Sequence, residues 1–139
     1  MSEREIVRRV AAHLERNMLL TFEEIPLAGR YVDLVGYSPS TMRLVMVEAK
    51  QTHWKSALRQ AAPCRLFTDE VYIAVPEEFV HRVQKDALRN SGIGLISVGA
   101  GITICVEPQG NSIKSKGYAD AAYSLLERLR QEAPLGLPS

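Results

Sequence analysis

GRYVDLVGYSPSTMRLVMVEAK, residues 29–50, is the stretch on which the reading of this chain turns. Residues 31–37 and 42–50 are two runs rich in β-branched and aromatic side chains, and each reads as a strand. Ser38, Pro39 and Ser40 form the turn between them. Side chains alternate between the faces of a strand. Glu48 and Lys50 therefore share one face, and Val45, Val47 and Ala49 take the other. Asp33 lies inside the first run. Two carboxylates and an ammonium at the ends of paired strands are costly to bury unless they bind something. A divalent metal and a scissile phosphate suit all three.

Upstream, Ser2-Glu3-Arg4-Glu5 has the form of a capping box, with Ser2 as N-cap and Glu5 as its partner. Ile6, Val7, Val10, Ala11 and Leu14 follow at helical spacing and predict one apolar face. Glu5 projects away from that face, whereas Glu3 projects onto its middle. Capping and solvent account for Glu5 but not for Glu3. One alternative for Glu3 is a first turn in which its charge complements the helix dipole.

Downstream, residues 53–67 predict a helix with Trp54, Ala57, Leu58 and Ala61 on one stripe and Pro63 shortening or kinking it. Trp54 reads as a core or boundary aromatic. Residues 71–75 predict a buried strand stopped by Pro76, and residues 77–90 a single amphipathic helix with Phe79, Val80, Val83, Ala87 and Leu88 inward. Residues 93–98 and 102–106 predict a hairpin closed by Gly99-Ala100-Gly101. Residues 111–117 read as a polar, basic loop. Residues 118–130 predict a last helix with Tyr118, Ala121, Ala122, Leu125, Leu126 and Leu129 on one side. The expected organisation is one domain over residues 1–132 with a flexible tail, residues 133–139.

Composition agrees with one domain. The chain has 139 residues, near the commonest domain size, and 46% hydrophobic residues supply one core. A net charge of +1 announces no polyanion partner, so a nucleic-acid surface must concentrate its cations locally. Arg4, Arg8, Arg9 and Arg16 crowd the first helix, and Lys55, Arg59 and Arg65 the second. For any one of them, a solvated helix face paired with nearby glutamates is the favoured reading. Cys64 and Cys105 stand alone in apolar surroundings and read as buried thiols. His13, His53 and His81 show no pairwise metal spacing. No leader, lipidation or membrane-spanning pattern is present, so the expectation is a cytoplasmic protein with no membrane partner.

Asp33, a spacer, and then Glu48-Ala49-Lys50 resemble the motif of the PD-(D/E)XK nuclease superfamily, the restriction-endonuclease-like fold. Val32 stands where that motif often has proline. The surrounding order of helix, strand, strand, strand, helix, strand resembles the superfamily core over about residues 2–107. The resemblance implies an α/β fold, a central mixed sheet flanked by helices, extended here by a C-terminal hairpin and helix. It implies that Asp33 and Glu48, with the Ala49 carbonyl, hold Mg²⁺ or Mn²⁺. Lys50 then serves the attacking water. In many members a glutamate on the first helix reaches the metal site, which makes Glu3 the candidate for that role. A polar residue on the second helix, often glutamine, lines the site in some relatives. Gln60 is the candidate, with an ordinary boundary residue as the alternative, and Gln51 is a weaker one.

Two function classes follow. One is a metal-dependent DNA endonuclease, with RNA open as substrate. The other is a catalytically silent nucleic-acid-binding or assembly subunit on the same fold, because a fold does not fix an activity. A third, plainer reading makes Asp33, Glu48 and Lys50 an incidental strand-end cluster. A small domain offers limited surface, and specific DNA interfaces commonly bury at least about 1,000 Å² of protein. A symmetric homodimer is therefore expected.

Overall fold

The computed structural model describes residues 1–110 and 113–132. The expected tail, residues 133–139, and part of the expected basic loop lie outside the described residues. Helix α1 (Glu3–Arg16) leads into strands β1 (Leu20–Leu27), β2 (Arg30–Ser38) and β3 (Arg43–Ala49). Helix α2 (Trp54–Ala61) and a 3₁₀ turn (Ala62–Leu66) connect to β4 (Glu70–Pro76). A second 3₁₀ turn (Glu77–Arg82) and α3 (Lys85–Ser91) precede β5 (Gly94–Val98), β6 (Ile102–Val106) and α4 (Lys116–Gln131).

The six strands form one mixed sheet in the order β1-β2-β3-β4-β5-β6. β3, β4 and β5 run parallel to one another, joined by helical crossovers, and the other neighbouring pairs are antiparallel. The long β1–β2 hairpin turns through Ala28 (φ 52°) and Gly29 (φ 77°). Two successive positive φ values match the right-handed twist of the flanking strands. Glycine adopts that conformation freely, whereas Ala28 does so at a cost of about 1 kcal/mol.

Strand alternation divides the core into two layers. Val45, Val47, Ala49, Tyr72, Ala74, Ile96 and Val98 face α1, against Ile6, Val7, Val10, Ala11 and Leu14. All five helix residues predicted from spacing are buried. At Gly36 an added methyl would come within 3.1 Å of Leu14 Cδ1, so this glycine allows α1 to lie close on β2. Met46, Ile73, Val75 and Leu95 face the opposite layer, where they meet Ala57 and Ala61 of α2, Leu88 of α3, and Ala122 and Leu126 of α4.

Several expectations are corrected. Residues 77–90 are not one helix: the chain is extended at Val83 and Gln84, so a 3₁₀ turn and α3 are separate pieces. The spacing of Phe79, Val80, Val83, Ala87 and Leu88 suits two short pieces as well as one long one. In α2 the α-helix stops at Ala61, and Pro63 sits in the first turn of the 3₁₀ segment, where a missing N–H costs nothing. In α4 the buried stripe is Ala119, Ala122 and Leu126, while Tyr118 remains 45% exposed, edge-on to Phe67. Cys64 is buried as expected, but Cys105 is only half-buried because β6 is an edge strand. No helix among the described residues is long and apolar enough to cross a membrane.

Candidate active site

β2 and β3 pair from Ser38↔Arg43 up to Leu34↔Val47 and then part. Beyond that point β2 continues only with β1, to Arg30↔Leu27, and β3 only with β4, to Ala49↔Ala74. Asp33 and Glu48 stand at the mouth of this fork. The Asp33 carboxylate accepts a hydrogen bond of 2.9 Å from the Ala49 amide, in place of the ladder carbonyl that the fork removes. On the other side of Asp33 the β1 ladder is interrupted at Glu24, whose φ is 53° inside the strand. A non-glycine residue held there is strained, and such strain concentrates at functional sites.

Glu48 is 1% exposed, the one charged residue buried among the described residues. Burial, and then the adjoining Asp33 carboxylate, push its carboxyl up to about 8, against the pull of Arg30. Arg30 Nη2 lies 3.6 Å from Glu48 Oε1, and that oxygen has no hydrogen-bond partner. Arg30 is held in turn by the Gln60 carbonyl, to which it donates. A buried carboxyl oxygen without a hydrogen-bond donor is costly to ionise, and a retained proton or a nearby cation relieves that cost.

β3 ends at Ala49, so strand alternation no longer governs Lys50. The Lys50 amide still donates to the Ala74 carbonyl at 3.1 Å, which fixes its backbone to β4. Its ammonium reaches the start of α1, where Nζ lies 3.9 Å from Glu3 Oε1. Ser2 caps α1 by accepting from the Glu5 amide at 3.1 Å, so Glu3 belongs to an ordered first turn. The Glu5 carboxylate pairs with Arg9 at 3.7 Å. Two clefts open from this centre. One is acidic, lined by Glu3, Arg4, Val7, Glu23, Glu24 and Asp33. The other is lined by Lys50 and the start of α2.

The structure thus brings Glu3, Asp33, Glu48, Ala49 and Lys50 to one end of the sheet. Gln60 meets the centre through its main-chain carbonyl, and the Gln51 amide donates to the Met1 carbonyl. Trp54 is buried against the core. Arg30 and Glu24 belong to no motif in the sequence, although both leave a mark there: Arg30 directly follows the Gly29 turn, and Glu24 interrupts the apolar pattern of β1.

The donors at the fork are carboxylate oxygens, the type that Mg²⁺ takes. Two apposed carboxyls and an unpartnered oxygen fit a cation there by chemistry. Among the described residues no three His, Cys, Asp or Glu groups are gathered at metal-binding spacing. Glu3 is turned to Lys50, and Glu48 faces Arg30.

No family model matches this chain, and no curated protein matches it. Among solved structures it is similar to the SPO1766 protein of unknown function from Silicibacter pomeroyi. The TM-score is 0.66 at 20% sequence identity, over 99% of this chain and 98% of that one. The likeness is one of fold: an α/β architecture with a mixed sheet flanked by helices extends over nearly the whole of both chains.

Proposed function

We propose that this chain is a metal-dependent endonuclease that hydrolyses DNA phosphodiester bonds on a restriction-endonuclease-like fold. The observation that carries the reading is the fork: Asp33 and a buried Glu48 with an unpartnered oxygen meet where β2 and β3 part, with Lys50 one residue past the strand end. The element order α1-β1-β2-β3-α2-β4 supports it, because it is the order expected of a PD-(D/E)XK core.

Asp33 and Glu48, with the Ala49 carbonyl, would hold Mg²⁺ or Mn²⁺. When bound, such an ion supplies Lewis-acid polarisation of the phosphate and an acidified water. The chain's own groups do the rest. The Ala49–Asp33 hydrogen bond fixes the Asp33 carboxylate in place. Lys50, as an ammonium, orients the attacking water and offsets negative charge growing on the phosphate oxygens. Glu3 holds the Lys50 ammonium at the mouth of the fork. By the resemblance, the products carry 5′-phosphate and 3′-hydroxyl ends. A homodimer would present two such centres to two strands.

A second reading has its own observation. Arg30 already places a cation 3.6 Å from Glu48, which suits a silent nucleic-acid-binding or assembly subunit. One experiment separates the two. Purified wild type and Lys50→Ala are incubated with labelled duplex, nicked, flap, four-way-junction and single-stranded DNA, and with RNA, in Mg²⁺, Mn²⁺ or EDTA. Metal-dependent cutting that disappears in Lys50→Ala supports the nuclease. No cutting of any substrate, or equal cutting by the variant, removes it.

A further inference from the structure

The two clefts beside the fork have opposite charge. Of the six residues lining the α1 side, four are carboxylates: Glu3, Glu23, Glu24 and Asp33, with Arg4 the one cation among them. The α2 side carries Lys50, Lys55 and Arg59 with His53 beside them, the hydroxyls of Thr52 and Ser56, and no carboxylate. This second cleft has a volume of about 450 Å³, within the range of about 300–1,000 Å³ that holds small ligands. The first turn of α2 adds no acidic residue and no capping side chain. Its helix dipole therefore reinforces the positive field. Lys50 belongs to the basic cleft, and its ammonium touches Glu3 of the acidic one, so the candidate centre lies on the seam between them.

We infer that the basic cleft is the track of the DNA strand: Lys55 and Arg59 hold backbone phosphates next to the one at Lys50, and the acidic cleft bars the strand from the α1 side. This deepens the nuclease reading and rests on it, since the strand is placed relative to the fork. Charge separation resolves how a chain with net charge +1 can take a polyanion. The field that matters is local, and like charge on the α1 side rejects the wrong approach. Trp54 lies under the cleft, packed in the core, with the Lys55 ammonium 5.8 Å from its ring centroid. It shapes the floor and leaves the contacts to phosphate rather than to bases, so binding tolerates sequence.

The test measures equilibrium binding of a fluorescein-labelled DNA duplex, in EDTA and again with Ca²⁺, as salt rises from about 50 to 200 mM. Compared are wild type, Lys55→Ala/Arg59→Ala, Lys55→Glu/Arg59→Glu, and the control Arg89→Ala/Arg128→Ala. The control removes two exposed cations from α3 and α4. Each lost phosphate contact flattens the log–log salt dependence by about 0.9. The expected result is a slope flatter by nearly twice that in the cleft double alanine variant, an affinity down by about tenfold or more, and no binding by the charge reversal. The control binds like wild type. Unchanged slopes, an equal loss in the control, or no binding by wild type overturns the inference. Thermal denaturation confirms that the exposed substitutions leave the fold intact. If wild type cuts DNA while the cleft variants bind and cut normally, the track is wrong and the nuclease stands. If DNA binds through the cleft and is never cut, the nuclease falls and the binding surface stands.

Discussion

The Asp33 carboxylate and the Ala49 amide are joined at 2.9 Å across the gap where β2 and β3 separate, so Asp33 is anchored to the backbone that carries Glu48 and Lys50. Asp33→Ala leaves the Ala49 N–H without its acceptor, at a cost of about 1–3 kcal/mol. Removing the Asp33 charge also makes Glu48 easier to ionise, which offsets part of this. Asp33→Asn retains an acceptor oxygen and loses the charge. Its stability in urea is expected at or above wild type at neutral pH, with Asp33→Ala below it. An Asp33→Asn protein as unstable as Asp33→Ala would show that charge, not the hydrogen bond, is what the fold uses.

Glu48 makes stability depend on pH in a stated direction. Its folded pKa of about 8 stands above the ordinary 4.5, so between these values the folded chain keeps a proton that the unfolded chain has released. The stability from this group is therefore fully present below about 4.5 and is lost as pH rises towards about 8. Glu48→Gln keeps the neutral shape and cannot ionise. Its stability profile should be flatter over that window, and it should exceed wild type at pH 8 and above. Urea denaturation across the window reads this out, and parallel profiles for the two proteins would refute it.

Arg30 and Glu48 should be energetically coupled. Arg30→Met keeps the apolar stem and removes the cation. Losing one partner of a buried pair typically costs about 3–5 kcal/mol. The Arg30 side chain is 31% exposed, and no hydrogen bond joins it to Oε1, so solvent screening reduces the expected cost to about 1–2 kcal/mol. In a Glu48→Gln background that cost should shrink, because the charge that Arg30 answers is gone. The double-mutant cycle is read above pH 8, where Glu48 is ionised. Additive single effects there would mean that Arg30 serves the Gln60 carbonyl alone.

Local signals carried much of this arrangement and tertiary ones did not. The spacing of Ile6, Val7, Val10, Ala11 and Leu14 placed Glu3 on the inward face of α1, whereas its side chain is 50% exposed, beside Lys50. Alternation in β3 placed Glu48 opposite Val47 and Ala49, and these do face different layers. The element order required a strand before Tyr31, yet Glu23, Glu24 and Pro26 break the strand pattern of residues 20–27. β1 forms because β2 offers it an open edge, and Glu24 takes a positive φ to stay in register. Gln60 read as a side chain facing the site, but what reaches the centre is its carbonyl. That contact depends on the end of α2 approaching the start of β2, which no local spacing reports.

Metal binding and cleavage should separate at Lys50. A ligand that binds only the folded state at one hundred times its Kd stabilises by about 2.7 kcal/mol. Saturating Mn²⁺ should therefore raise the thermal midpoint of wild type. Asp33→Asn and Glu48→Gln each remove a charged oxygen donor from the fork, and both should lose this response. Lys50 is a cation next to the same centre, so Lys50→Ala removes a repulsion and should keep the Mn²⁺ shift or enlarge it. Differential scanning fluorimetry with and without EDTA measures all four proteins. A Lys50→Ala protein that retains the shift yet cuts no DNA assigns the lysine to the chemical step. Loss of the shift in Lys50→Ala would instead make Lys50 a support for the carboxylates, and the proposed division of labour at the fork would have to be redrawn.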